Sequence, residues 1–267
     1  MQSAYPTANG LAGLITPGRT TGPGYHVISR AYPSGDAEVC AVKLESDDLI
    51  RRGGGAKRNH EKREDQDESV MYKSFSRSRK SIKRLCQSAC FDRMLTLTFR
   101  ENLTDKDQAW KCFHYFSKLM RWRFKDRWLY IAVPEFQKRG AVHFHLGVKG
   151  WFHIQTVRRF WLRAVGQYGG NVDITSPRKS NNKNSWNPRH ISNYLAKYVA
   201  KEMVSEFNSR RYSSGGRIEV PPPIRGWLAL GCPVIPVLTD VMSCLTRVPH
   251  HKVYEGEHRF YIFYLST

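Results

Sequence analysis

The sequence predicts an α+β fold in which helices flank a central antiparallel sheet. Short β-prone runs, among them 94–99 and 141–148, alternate along the chain with segments of helical periodicity. The strand-like runs 128–135 and 141–148 are separated by a few residues that include Gly140, as in a hairpin. Over 94–203 the order is strand, helix, two strands, helix, strand, helix, which favours a sheet backed by helices.

The elements before the hairpin begin with a helix expected over 70–90. Residues 94–99 (MLTLTF) alternate between apolar and polar side chains, so Thr96 and Thr98 share one face of a strand. Apolar residues then recur at the spacing of one helix face before Lys125: Ala109, Phe113, Phe116 and Met120. The sequence therefore predicts helix, strand, helix ahead of the hairpin.

The elements after the hairpin are a short helix over 157–165 and a strand over 171–175. Residues 180–188 (SNNKNSWNP) form a polar loop. Pro188 then opens a helix expected over 189–203, because proline is well tolerated in the first turn of a helix.

The composition points to a polyanionic partner. The 267 residues have a formal net charge of +20, and nucleic acid is the usual partner of so basic a domain. Secreted and membrane-surface proteins are the other basic classes. The sequence contains no run of 18 apolar residues and no apolar core of a signal peptide near its start, so we expect no membrane association.

The chain divides by composition into three parts. Residues 1–68 are rich in glycine, proline and charge, with poor periodicity, which predicts a flexible basic arm. Residues 69–207 carry the regular pattern and form the predicted functional domain. Residues 208–267 are a C-terminal extension of unknown role, with a break at 221–223 (PPP) and a strand-like end over 259–265.

The hairpin brings three potential metal ligands together. If residues 138–140 form a three-residue loop with the glycine in the left-handed conformation, Glu135 pairs with His143 and Val133 with His145. The two imidazoles and the carboxylate then share one sheet face, with cross-strand partners about 5 Å apart. A two-residue loop would turn Glu135 to the other face. Two histidines and a carboxylate suit Mg²⁺ or Mn²⁺ beside a phosphate, and Zn²⁺ or Co²⁺ is also compatible.

Two tyrosines on the last helix are candidate nucleophiles. Tyr194 and Tyr198 are four residues apart, so both phenols lie on one helix face, and each precedes a lysine, Lys197 or Lys201, by three residues. A phenol with a pKa near 10 is mostly protonated at neutral pH, and a nearby ammonium stabilises the developing charge. The alternative is that both rings border the apolar stripe of an amphipathic helix.

Residues 75–205 resemble the HUH family of single-strand DNA endonucleases, in particular the rolling-circle replication initiators of small phages and plasmids. Three motifs occur in the family's order. Residues 95–98 (LTLT) resemble the first motif, and Glu135 with 143–145 (HFH) resembles the metal motif. Residues 194–201, with two YxxK units, resemble the tyrosine motif of the microvirus and filamentous-phage gene II types.

This resemblance implies an RRM-like core and a nicking endonuclease domain over 69–207. It implies a metal-dependent nick through a 5′-phosphotyrosine bond that leaves a free 3′-OH, and a second transfer that rejoins the strand. By resemblance Tyr198 is the first nucleophile and Tyr194 the alternate, with Lys201 and Lys197 as their activators. The implied substrate is single-stranded or supercoiled origin DNA in the cytoplasm of a bacterial host.

Further partners follow from what the sequence contains. It has no G-x-x-x-x-G-K-[ST] motif, so strand separation is expected from a host helicase. Residues 73–84 contain six basic residues and no acidic one, which favours contact with DNA phosphates over a merely solvated helix face. The basic residues expected to bind DNA are Arg77, Arg79, Lys80, Lys83 and Arg84. Residues 121–125 and 158–161 mix basic and aromatic types, which suits either base stacking or core aromatics beside solvated charges.

Two alternatives remain open. A transposase or conjugative relaxase of the HUH kind would keep the same chemistry and recognise other DNA ends. A non-catalytic basic nucleic-acid-binding protein would explain the charge, but it would not explain the paired histidines and tyrosines. The origin sequence, the oligomeric state and the source of the replicon, phage or plasmid, stay undetermined.

Overall fold

The computed structural model describes the following residues: 13–17, 23–44, 68–175, 187–201, 211–246, 251–256 and 259–264. It divides the chain into two compact units, residues 64–219 and residues 1–63 with 220–267. Most of the predicted polar loop 180–188, residues 202–203 of the predicted last helix and much of the predicted arm lie outside the described residues.

The secondary-structure elements are labelled in chain order. The strands are β1 Thr16–Pro17, β2 Gly24–Ala31, β3 Ala37–Leu44, β4 Arg93–Phe99, β5 Tyr130–Phe136, β6 Val142–Val148, β7 Gly170–Thr175, β8 Ser213–Gly215, β9 Ile224–Ala229, β10 His251–Gly256 and β11 Arg259–Tyr264. The helices are α1 Glu68–Ala89, α2 Lys106–Phe124, α3 Ile154–Val165, α4 Pro188–Lys201 and α5 Val234–Leu245.

The unit of residues 64–219 is built on a five-stranded sheet with the order β7-β4-β6-β5-β8. Every neighbouring pair in it is antiparallel. The predicted α+β class with a central antiparallel sheet and flanking helices is confirmed, and the order of elements is compatible with an RRM-like core.

Alternation along the strands divides the side chains of this sheet between two helical layers. Helices α2 and α3 cover one face, where the buried side chains include Leu95, Leu97, Phe144, Leu146, Phe113, Phe116 and Trp161. Helices α1 and α4 contribute to the core on the other face, which includes Met94, Ile131, Val133, Phe75, Ile82, Ile191, Leu195 and Val199. The potential metal ligands therefore lie on the side of α4.

The other unit contains a six-stranded antiparallel sheet with the order β1-β9-β2-β3-β11-β10. Strands β2 and β3 pair with each other, β9 pairs with β2, and β11 pairs with β3. Side chains from β2 and β3 are buried with those of α5, which include Leu238 and Val241. The predicted flexible arm is therefore corrected for β2 and β3, which are strands in a sheet. Strand β8, from the predicted C-terminal extension, pairs with β5 of the first unit.

Candidate functional site

The β5–β6 hairpin has the register that the sequence predicts. The N–H of Gln137 donates to the carbonyl of Ala141 at 2.9 Å, and Gly140 has a φ of 87°. Glycine carries no Cβ penalty in that left-handed region, which permits the three-residue loop. Glu135 consequently pairs with His143, and Val133 pairs with His145.

Arg139 holds this hairpin against the end of β4. Its guanidinium donates to the carbonyl oxygens of Phe99 at 2.9 Å and Arg100 at 3.2 Å, and its Nε donates to Gln137 Oε1 at 3.1 Å. The sequence reasoning missed this role because the acceptors lie about forty residues away along the chain.

The residue between the two histidines anchors β6 to the opposite face. Phe144 packs against Trp110 and Phe113, with ring centroids 4.9 Å and 5.0 Å apart. Because successive side chains of a strand point to opposite faces, His143 and His145 both face the α4 side. They are only 9% and 6% exposed, so the site is largely shielded from water.

His145 is held between a carboxylate and a hydroxyl. Its Nε2 lies 2.8 Å from Glu135 Oε2, and its Nδ1 lies 3.4 Å from Thr96 Oγ1. A neutral His145 satisfies both contacts if Nε2–H donates to Glu135 and Nδ1 accepts from the Thr96 hydroxyl. Thr96 is the direct cross-strand neighbour of His145, which gives the 95–98 motif a function in orienting the imidazole.

His143 is kept neutral by its surroundings. Burial lowers its pKa to about 4, and the charges of His145 and Arg139 act in the same direction, against the opposing effect of Glu135. Neutral imidazole is the form that binds metals, so His143 needs no deprotonation at neutral pH to serve as a ligand.

The donor set suits a divalent ion, although the side chains are not gathered around one point. In the described part of the chain, no group of three His, Cys, Asp or Glu side chains is arranged to hold a metal ion. Glu135 and His145 instead bond to each other directly. Two imidazole nitrogens and a carboxylate on one sheet face have the right chemistry for Mn²⁺ or Mg²⁺. Metal binding by Glu135, His143 and His145 therefore stays a prediction.

Both tyrosines of α4 lie at His145. The Tyr198 ring is stacked on the imidazole, with centroids 4.3 Å apart and planes at 11°. The Tyr194 ring meets the same imidazole edge-on at 5.7 Å. The Tyr198 hydroxyl donates to Tyr194 Oη at 2.7 Å. Tertiary packing thus brings the two sequence motifs together, with buried Ile191, Leu195 and Val199 anchoring the helix.

The phenol of Tyr198 is protonated in this environment. Burial raises its pKa well above the ordinary value near 10, and the hydrogen bond with Tyr194 and the charge of Glu135 act in the same direction. Of the two predicted activators, Lys197 is exposed on α4. The Lys201 side chain lies outside the described residues, so the assignment of either lysine as an activator stays a prediction.

Gly147 allows α4 to approach the sheet closely. A Cβ at this position would lie 2.7 Å from Ile191 Cγ2 and 3.1 Å from Phe91 Cδ2. Both distances are shorter than comfortable van der Waals contact, so a side chain here would displace α4. The glycine follows the second histidine by two residues and shares its face, and so influences where the tyrosines lie.

We expect Gly147→Ala to destabilise the unit by about 1–3 kcal/mol, the usual cost of overpacking a filled core. Urea unfolding followed by tryptophan fluorescence measures the change. In a double-mutant cycle, Ile191→Ala removes the clashing methyl group, so the double variant should be less destabilised than the sum of the single variants. Strict additivity would show that Gly147 and Ile191 do not compete for space.

A polar surface continues from the histidines across β4 and β7. Thr98 pairs with both His143 and Asn171, and Thr96 pairs with both His145 and Asp173. The two threonines are half-buried, whereas Asn171 and Asp173 are exposed. The sequence indicated which face of β4 these threonines share, but not that β7 would lie beside it.

The predicted DNA-binding residues are on the same side of the sheet as the tyrosines. Helix α1 shares a hydrophobic core with α4 through residues that include Phe75 and Ile82. Arg77, Arg79 and Lys80 are exposed. Lys83 and Arg84 are half-buried. Their contact with DNA phosphates stays a prediction.

Comparison with known proteins gives one match. Residues 92–203 match a family model described as a replication-associated protein of the ORF2 and gene 2 protein type. This range includes all three motifs, and the match confirms the predicted resemblance at the level of a replication-associated protein. No curated protein and no solved structure matched the chain. Within the described residues, none of the helices has the length and apolar character to span a membrane.

Proposed function

Because residues 92–203 match this family of replication-associated proteins, we propose that the protein nicks and rejoins single-stranded origin DNA in rolling-circle replication. The observation that carries the proposal is the stacking of Tyr198 on His145, which is itself bonded to Glu135. A potential nucleophile is thus held at a group of potential metal ligands. A non-catalytic nucleic-acid binder would not require that arrangement.

Glu135, His143 and His145 are the residues that would hold a divalent ion. The ion would supply Lewis-acid polarisation of the scissile phosphate. The protein contributes a neutral His143, a His145 oriented by Thr96, and a largely shielded pocket in which electrostatic interactions are strong.

The proposed nick is a transesterification. Tyr198 Oη forms a bond to the scissile phosphorus while the bond from phosphorus to the 3′ oxygen breaks. The phenol loses its proton and the departing 3′ oxygen gains one, which leaves a 5′-phosphotyrosine and a free 3′-OH. The hydrogen bond from Tyr198 to Tyr194 gives the phenolic proton a route away from the reacting oxygen. The bond energy retained in the phosphotyrosine permits later rejoining without an external energy source.

The second tyrosine permits a second transfer within the same site. Tyr194 Oη lies 2.7 Å from Tyr198 Oη, so both phenols reach nearly the same position. After one round of synthesis, Tyr194 cleaves the regenerated junction, and the released 3′-OH attacks the phosphotyrosine at Tyr198. The displaced strand is thereby circularised.

The proposal is tested by covalent attachment. We expect the full chain to form an SDS-resistant adduct with a single-stranded oligonucleotide from its replicon's origin when Mn²⁺ is present, and none with EDTA. The measurement is a gel shift of oligonucleotides labelled at either end. Only the label on the 3′ side of the nick should move with the protein.

The same sequence supplied as a duplex is the matched control and should yield little adduct. Cleavage that releases both DNA fragments with no protein attached would contradict the tyrosine mechanism. Binding without cleavage over the range of origin strands and divalent ions would favour the non-catalytic alternative.

A further inference from the structure

The solvent-facing side of α2 carries a stripe in which basic and aromatic residues alternate. Lys111, Tyr115, Lys118 and Trp122 are separated by four, three and four residues, so they follow one another along one side of the helix. Tyr115 is 40% exposed and Trp122 is 74% exposed. Most of the apolar surface of this tryptophan therefore faces water, although the core of α2 is filled by other aromatic residues.

Helix α3 packs beside α2 and extends the same basic surface. The two helices meet through buried rings, among them Phe116 and Trp161 at 5.5 Å between centroids. Arg158, Arg159 and Arg163 of α3 are exposed. Both helices lie on one face of the sheet, so their exposed side chains form one outer layer.

The charge of this layer has almost a single sign. Residues 106–127 and 154–165 contain ten Lys or Arg and two Asp. Surface charge of mixed sign would be enough for solubility, whereas an excess of one sign attracts a partner of the opposite sign.

We propose that this surface, defined as Lys111, Tyr115, Lys118, Arg121, Trp122 and Lys125 of α2 and its C-terminal end with Arg158, Arg159 and Arg163 of α3, binds a single strand of DNA. We call it the outer helical face. Lys and Arg neutralise phosphates along the backbone, and exposed aromatic rings stack on unpaired bases. A duplex keeps its bases stacked inside, so it could use the charges but not the rings. This combination favours a single strand over a duplex, an acidic protein or an anionic membrane.

The outer helical face is on the side of the sheet opposite the tyrosines. Phe144 points into the core beneath α2, whereas its neighbours His143 and His145 point toward α4. A strand at Tyr198 is therefore separated from Trp122 by the thickness of the sheet and of a helix, roughly 10 Å or more. Two different DNA segments can be held at once, such as the nicked end and the displaced strand. This binding does not require that the protein nick DNA.

Burial distinguishes between the two basic-aromatic stretches in the sequence. In 158–161, both aromatic rings are buried, with Trp161 fully inaccessible and Phe160 6% exposed. In 121–125, Trp122 is among the most exposed large side chains. The α3 stretch thus contributes charge alone, and the stacking capacity belongs to α2.

Fluorescence anisotropy with oligodeoxythymidylate in EDTA measures the binding without cleavage. We expect Trp122→Ala to weaken binding roughly 5- to 100-fold, the range seen on loss of a base-stacking aromatic side chain, and Trp122→Phe to retain most of it. Trp151→Ala is the matched control, because Trp151 is 61% exposed and belongs to neither helix. Duplex DNA should bind Trp122→Ala and the wild-type protein equally.

Photo-crosslinking identifies the surface directly. Oligonucleotides containing 5-bromodeoxyuridine are irradiated with the full chain, and the cross-linked peptides are identified by mass spectrometry. We expect cross-links within 111–125 in the wild type and in Tyr198→Phe, and their loss in Trp122→Ala. Failure of the adduct assay alone would leave this result intact, so the two proposals are tested separately.

Several outcomes would overturn the assignment. They are cross-links confined to the α4 side of the sheet, equal losses of affinity in Trp122→Ala and Trp151→Ala, or equal losses for duplex and single strand. Binding of anionic vesicles that competes with the oligonucleotide and depends on Trp122 would likewise reassign the face to a membrane.

Discussion

Replacing Tyr198 with phenylalanine is expected to abolish the covalent DNA adduct formed at the first nick, with a loss of about 10³-fold or more. The change removes the proposed nucleophilic oxygen, and loss of a nucleophile is among the largest effects in enzymes that use one. The ring that stacks on His145 at 4.3 Å is retained, so the packing of α4 should survive. The measurement is the yield of SDS-resistant adduct with labelled origin DNA.

Tyr194→Phe is the matched variant, because it removes the partner hydroxyl from the same helix face. We expect it to nick, but to be impaired in the second transfer that circularises the product. The flat stacking of Tyr198 on His145, against the edge-on contact of Tyr194, agrees with this order of use. Peptide mapping of the trapped adduct decides the assignment. Attachment only at Tyr194 would reverse it, and attachment at neither tyrosine would remove the mechanism.

The second large effect is expected from the histidines. His143→Ala and His145→Ala should each reduce metal-dependent cleavage by about 100-fold or more, because each removes one of three proposed ligands. DNA binding in EDTA should be largely retained. Isothermal titration with Mn²⁺ in the absence of DNA measures the metal site directly, and each variant should bind the ion much more weakly.

The two histidine variants are expected to differ in one respect. His145 also contacts Thr96 and supports the Tyr198 ring, so its loss should disturb the tyrosines as well. His143→Ala is therefore the cleaner test of metal binding. His190→Ala, at an exposed position on α4, controls for the loss of any histidine. Wild-type Mn²⁺ affinity in both His143→Ala and His145→Ala would exclude this group as the metal site.

The local sequence was enough to predict the geometry around the hairpin. The three-residue loop with a left-handed glycine sets the pairing of Glu135 with His143, and the period of two sets the face. The helical period likewise put Tyr194 and Tyr198 side by side. These features depend on residues within about ten positions of one another, so their geometry follows from backbone stereochemistry and hydrogen bonding.

The sheet containing β2 and β3 was not predictable in the same way. These strands lie in a segment whose composition resembles a flexible arm, and β9, which pairs with β2, comes from near the other end of the chain. Their apolar side chains are buried against α5 and its neighbours. Local periodicity carries no record of a partner nearly two hundred residues away, so composition alone favoured disorder.

By itself, the sequence determined the type and order of the elements in the region of 94–203, the hairpin register and the shared face of each candidate pair. Only the tertiary structure decided that Thr96 would lie beside His145, that Gly147 would admit α4, and that Tyr198 would stack on the imidazole. It also decided which tryptophans reach water, because Trp122 and Trp161 stand in similar sequence surroundings but differ in burial. The physical reason is that hydrogen bonding and chain stereochemistry act between near neighbours. Burial and docking depend on close packing between segments that are distant in the chain.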